Sequence, residues 1–129
     1  MLLAPEDILA RRPVWEALSS LFLDTDVSLA RKWRVEALAK SPYSIEQLQS
    51  ILVEEIYPVC KYNLLSIAGE WSGFDPAWLE RKILRRLASP FRFLHAINLG
   101  RVTVHLSTEW RATSAGIAVI RRGAAPRVA

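Results

Sequence analysis

The chain has 129 residues and a mass of 14.6 kDa. With 51% apolar residues, 23% charged residues and one cysteine, it can build one domain around its own core and cannot build a disulfide framework. The net charge of +4 hides a division, because residues 1–60 hold six Lys/Arg against nine Asp/Glu while residues 61–129 hold eleven against four; the two halves suit partners of opposite sign.

Pro5-Glu6-Asp7 makes a favourable first turn, since proline is tolerated at the first helical position and carboxylates favour the positive end of the helix dipole. A short helix over 5–11 follows. Pro13 opens a second helix, in which Val14, Trp15, Ala17, Leu18, Leu21 and Phe22 share one arc at about 100° per residue. Asp24-Thr25-Asp26 supplies caps for a third helix over 27–40, with Leu29, Trp33 and Ala37 turned inward. Ser44 with Gln47 forms a capping box before the apolar pattern of Ile45, Leu48, Ile51, Leu52 and Ile56. Pro58 ends or kinks that helix. Another helix over 59–68 buries Leu64, Leu65 and Ile67 and stops at Gly69. Asp75-Pro76 then pairs a capping residue with a first-turn proline and starts a helix to about Ala88.

Beyond Ser89 the pattern changes. Residues 90–99 read as a helix stopped by Gly100, whereas Arg101-Val102-Thr103-Val104-His105-Leu106 alternates as a strand does. After a helix over 109–115, the segment 116–120 either pairs with that strand or joins the core, and 121–129 forms a flexible tail. The expected fold class is therefore all-α: a single compact domain over 1–120 with five to seven helices and a short carboxyl-terminal β element. Its expected core comprises Trp15, Leu18, Leu21, Phe22, Trp33 and Leu48, continued by Leu52, Ile56, Leu65, Leu79, Ile83 and Leu87.

The glycines at 69, 73, 100, 116 and 123 fit neither a phosphate-cradling loop nor a dinucleotide fingerprint. His95 and His105 stand apart from each other and from the lone Cys60, which reads as a small core residue, so neither a metal nor another cofactor is expected. Catalytic residues are likewise not expected, although Glu55 and Glu70 are the carboxylates an enzyme reading would use. Glu55 falls inside the apolar arc of its helix, and a carboxylate there needs a basic or N–H partner or a place at the rim. The segment 63–75, with Glu70, Trp71 and Phe74 around Gly69 and Gly73, reads as a loop whose residues stop one helix, cap the next and plug the gap between them.

Two surfaces remain. Glu46, Glu54 and Tyr57 line the side of their helix opposite the apolar arc and form an acidic and aromatic face suited to a protein partner. Arg81, Lys82, Arg85 and Arg86 oppose the inner Leu79, Ile83 and Leu87, with Trp78 among them; this is a basic stripe that can hold phosphates and stack a base. The amino terminus lacks the basic start and apolar stretch of a secretory signal. Charges or prolines also interrupt each apolar segment short of the roughly 18 residues of a membrane span. A cytoplasmic protein with no membrane partner is expected.

Residues 13–25, Pro-Val-Trp-Glu-Ala-Leu-Ser-Ser-Leu-Phe-Leu-Asp-Thr, together with residues 63–71, Asn-Leu-Leu-Ser-Ile-Ala-Gly-Glu-Trp, and Phe74-Asp75, carry a resemblance to an uncharacterised family of small bacterial helical proteins. The likeness covers roughly residues 10–88 and implies a bacterial helical domain without implying a chemistry. In type, though not in motif, the chain also looks like immunity proteins that neutralise toxin domains. The expected function is a non-enzymatic protein-binding module, an immunity protein occluding a toxin domain through Glu46, Glu54 and Tyr57. The alternative is a small nucleic-acid-binding or regulatory protein using Trp78, Arg81, Lys82 and Arg85.

Overall fold

The computed structural model describes residues 1–23, 26–65, 73–89 and 99–124, and among these every regular element is helical, with no strand. The α-helices are α1 (Ile8–Ser19), α2 (Arg31–Ala39), α3 (Ile45–Ile51), α4 (Tyr57–Leu65), α5 (Pro76–Leu87) and α6 (Leu99–Ala124). Short 3₁₀ turns at Ala4–Glu6, Ser20–Phe22 and Val27–Ala30 flank α1 and lead into α2, and a π-helical turn, Leu52–Ile56, joins α3 to α4. The shared core gathers Val14, Trp15, Leu18, Leu21 and Phe22 from the first helix and its extension. Leu38, Leu48, Ile51, Ile56, Leu79, Ile83 and Ile117 meet them from the other helices.

Local rules explain most boundaries. The Ser44 hydroxyl accepts from the Gln47 N–H while the Gln47 side chain accepts from the Ser44 N–H, which completes the capping box of α3. Asp75 accepts from the Trp78 N–H, with Pro76 in the first turn of α5. Prolines behave differently from the expectation. Instead of opening a new helix, Pro13 lies inside α1, on its solvent side, where water can serve the Leu9 carbonyl that loses its donor. Pro58 neither ends nor sharply breaks the helix before it: the Tyr57 N–H reaches back five residues to the Leu52 carbonyl. This wider turn gives the proline ring room against the preceding carbonyls.

That π turn corrects one placement. It contributes an extra residue to the turn, rotates the following side chains and brings Tyr57 inward to 6% exposure, beside Phe22 at a ring-centroid separation of 6.3 Å. Trp33 and Leu29 are also corrected, from core to surface, at 46% and 80% exposure. The 3₁₀ turn advances by about 120° per residue rather than about 100°, and the face of α2 that turns inward is instead the one carrying Arg34, Val35 and Leu38.

The expected strand over 101–106 is helix, and so is 116–120, because both belong to the continuous α6. Burial on α6 follows helical spacing, with Thr113 and Ile117 inside, so the local alternation of β-branched residues yields to tertiary packing. α6 lies parallel to α2. Contacts advance together along both helices, from Arg31 with Glu109, through Arg34 with Thr113 and Val35 with Gly116, to Arg121 beyond the end of α2. A Cβ on Gly116 would stand 2.9 Å from Val35 Cγ2, so the absence of a side chain permits the close approach. The helix continues through residues 121–124, expected as tail, and Arg121 donates to the carbonyls of Leu38, Ala39 and Ser41 at 3.2 to 3.4 Å. These contacts bring a cationic donor to the carbonyls where α2 ends, in addition to the Ser41 N–H and hydroxyl that already reach Leu38. The expected helix over 90–99 lies largely outside the described residues, as do positions 66–72 of the expected loop and the side chain of Leu65.

Candidate functional site

Glu55 sits in the π turn with its carboxylate turned into the domain, as its place in the apolar arc predicts. Its partners come from α1. Arg11 donates through Nε to Oε1 and through Nη2 to Oε2, both at 3.1 Å, and Trp15 donates its indole N–H to Oε1 at 2.8 Å. Residues four apart share a helical face, so one stripe of α1 supplies both Arg11 and Trp15. The rest of the guanidinium is also engaged: Nη1 donates to the Tyr43 hydroxyl at 2.9 Å and to Asp7 Oδ2 at 3.3 Å, and Nη2 donates to the Leu2 carbonyl at 3.1 Å. Tyr43 in turn donates to Asp7 in a short hydrogen bond.

This network ties the amino-terminal residues, α1, the Ser41–Ser44 turn and the π segment into one unit. Burial works against the charge on Arg11, but the hydrogen bonds and field of Glu55 and Tyr43 outweigh it and hold the guanidinium above its ordinary pKa. Burial, then the hydrogen bond to Asp7, raises the Tyr43 phenol. Glu55 therefore accepts from three fixed donors inside a sealed region, the arrangement of a structural ion pair.

A second polar cluster fixes α6 on α2. Arg34, fully buried, donates through Nε to Ser20 Oγ at 2.7 Å and through Nη2 to the Val27 carbonyl at 2.7 Å. Its Nη1 donates to Glu109 Oε1 at 3.0 Å and Thr113 Oγ1 at 3.2 Å. Arg31 grips the same carboxylate bidentately, at 2.8 Å to each oxygen. The hydrogen bond from Arg31 lowers the Glu109 pKa, although burial opposes it. Neither cluster is spelled out by a motif. The signal that was present is Glu55 itself, a carboxylate in an apolar stripe, whereas its partners lie 40 and 44 residues away.

The expected surfaces separate into exposed and buried members. Glu46 and Glu54 are exposed on the outer side of α3 and the π turn, together with Ser50. Tyr57 is not part of that face: it is in the core, and Lys61 Nζ lies over its ring at 5.4 Å from the centroid. On α5, Arg81, Lys82 and Arg85 are exposed along one side, while Trp78 is half-buried and stacks on Phe74 at 6.0 Å with the rings 9° apart. Arg86 is more buried than those three.

Cys60 is buried among apolar side chains, and burial pushes its thiol up to about 12, where the reactive thiolate is scarce. Among the described residues, no three His, Cys, Asp or Glu side chains come together as metal ligands. Glu70, His95 and the His105 side chain lie outside the described residues. No described helix is long and apolar enough to cross a membrane.

Comparison with known families matches residues 9–115 to the model of DUF7079, a domain of unknown function. The chain belongs to this family. The DUF7079 match starts at the beginning of α1 and reaches well into α6, farther than the stretch that carries the sequence resemblance. It includes Arg11, Glu55, Arg34 and Glu109, whereas Arg121 lies beyond it. No curated protein and no solved structure matches the chain.

Proposed function

We propose that this DUF7079 chain is a non-enzymatic protein-binding module of the bacterial cytoplasm, of the immunity type that occludes a toxin domain. The observation that carries this reading is the division between inner and outer carboxylates. Glu55 and Glu109 are consumed by arginines that hold helices together, whereas Glu46 and Glu54 project from one outer side of α3 and the π turn. Inhibition by occlusion needs a rigid body with a complementary surface and no turnover. A rigid acidic face presented by a capped helix supports that role toward a basic partner.

A second reading is supported by the exposed Arg81, Lys82 and Arg85 on α5. They suit phosphate contacts, although Trp78, stacked on Phe74, offers less of its ring to a base than the sequence pattern alone suggests.

The two readings part in one experiment. The chain is captured from its native cell and the eluate is assayed for protein and nucleic acid, with Glu46→Lys/Glu54→Lys and Arg81→Ala/Lys82→Ala/Arg85→Ala compared in parallel. Protein binding predicts a stoichiometric partner that survives moderate salt and is lost only with the glutamate variant. Nucleic acid released by salt and lost only with the α5 variant would replace this reading with the second.

A further inference from the structure

Between α1 and α5 lies a cleft of ≈ 440 Å³, within the roughly 300–1,000 Å³ range of ligand-binding clefts. Trp15 and Leu79, both buried, form its floor, and Pro13, Pro76 and Ala77 contribute apolar walls. The floor is fixed in advance, because the Trp15 indole N–H is held by Glu55 at 2.8 Å and its ring cannot turn without breaking that bond.

The charged lining consists of Arg12, Glu16 and Glu80. Arg12 Nε donates to Glu80 Oε1 at 2.7 Å, bridging the two helices. Glu16, exposed and one turn along α1 from Arg12, has no side-chain hydrogen bond or ion pair among the described residues. Two carboxylates thus face one guanidinium, which leaves a negative excess above an apolar floor. An anion is poorly served here: Pro76 has no N–H, and the Trp78 N–H is already taken by the Asp75 carboxylate at 2.9 Å.

We propose that this cleft receives an arginine side chain of a partner protein, its stem against the apolar floor and its guanidinium on Glu16 and Glu80. Charge complementarity selects a cation, and the Arg12–Glu80 contact shows that a guanidinium fits one of the two carboxylates. Arginine suits the site better than lysine because its planar head can bridge two carboxylates while its stem covers apolar surface. Arg12 is then an internal competitor for Glu80 in the free protein. The proposal deepens the protein-binding reading and rests on it only for the source of the arginine.

The test is a ¹H–¹⁵N NMR titration of the full chain with the blocked tripeptide acetyl-Gly-Arg-Gly-amide, with its lysine counterpart and free arginine as comparisons. Saturable shifts are expected at Arg12, Glu16, Ala77 and Glu80, with several-fold weakening in Glu16→Gln and in Glu80→Gln. Arg12→Ala is expected to bind several-fold more tightly, an outcome that a purely structural Arg12–Glu80 pair does not produce. Free arginine, carrying its own carboxylate, is expected to bind more weakly than the blocked peptide. Absence of saturable shifts in both wild type and Arg12→Ala, or weaker binding by Arg12→Ala, overturns the site. Lysine peptide binding as tightly as arginine peptide overturns the guanidinium assignment, and free arginine binding at least as tightly overturns the protein source. Because the probe is defined, these outcomes stand apart from success or failure of the capture experiment.

Discussion

Arg11 and Arg34 both have almost no surface open to solvent, 1% and 0% exposed, yet Arg34 is packed more deeply and the two environments treat their charges differently. Arg11 is the one cation on Glu55 among the described residues and has Asp7 as a second carboxylate at 3.3 Å, and its guanidinium is held above the ordinary value despite burial. Arg34 shares Glu109 with Arg31, burial dominates, and the repulsion of Arg31 adds to it, so its guanidinium is pulled below the ordinary value. The heavier desolvation of Arg34, more than the sharing of its carboxylate, separates the two sites. The first cluster is consequently an internal brace between α1 and the π turn, whereas the second is a clasp at the α2–α6 boundary with Arg31 and Glu109 nearer to water.

The largest consequence concerns the brace. Glu55→Gln leaves buried Arg11 with only the longer contact to partly exposed Asp7 as counter-charge and is expected to destabilise the fold by about 3–5 kcal/mol, the range for breaking a buried pair. Urea denaturation measures it. Replacing both partners, Arg11→Met with Glu55→Leu, is expected to recover part of the loss, because partly exposed Asp7 keeps the Tyr43 hydroxyl and only the Trp15 N–H loses its acceptor; a double variant as unstable as Glu55→Gln would contradict the account of a buried ion pair. Glu109→Gln is expected to cost less, about 1.5–3 kcal/mol for weakened hydrogen bonds to buried Arg34. Its effect should appear in hydrogen exchange as lost protection in α6 while the braced α1 stays protected, and uniform loss across both helices would erase the distinction between brace and clasp.

Gly116→Ala tests the packing half of the clasp. Crowding against Val35 costs about 1–3 kcal/mol and the gain in helix propensity returns about 1 kcal/mol, so a net loss near 1 kcal/mol is expected, with Val35→Ala relieving it. A stabilised Gly116→Ala protein would show that α6 does not need the close approach. The gentlest probe is acid. The Glu109 pKa is depressed on folding, first by the hydrogen bond from Arg31, so its contribution is complete above the unfolded carboxylate range. It fades as pH falls through the lower folded value. Stability of wild type should fall over that acid interval more steeply than stability of Glu109→Gln, and parallel curves would exclude Glu109 as a source of acid sensitivity.

Much of this was legible residue by residue. The Ser44–Gln47 and Asp75–Pro76 signals are local, involve neighbouring side and main chains, and place α3 and α5 directly. Glu55 was recognisable as an acid needing a partner, because a carboxylate in an apolar stripe has few inexpensive solutions. Arg11 was not recognisable as that partner, since a separation of 44 residues has no local signature. Tyr57 and Trp33 were misplaced because a π turn and a 3₁₀ turn changed the helical phase, which a uniform periodicity cannot register. Residues 101–106 alternate like a strand, but their helical neighbours through Ala124 pack as one rod on α2, and tertiary contact prevails over local β preference.

The same division between inner and outer charge carries the proposed function: the inner carboxylates hold the fold, and Glu46 and Glu54 are the groups proposed to meet a partner. Its most direct test is isothermal titration of the captured partner into wild type, Glu46→Lys/Glu54→Lys and the clasp variant Glu109→Gln, each first shown to be folded. The account predicts wild-type affinity for Glu109→Gln and a large loss for the charge-reversed face. Unchanged affinity after reversal of Glu46 and Glu54, or loss of binding by folded Glu109→Gln, would contradict it.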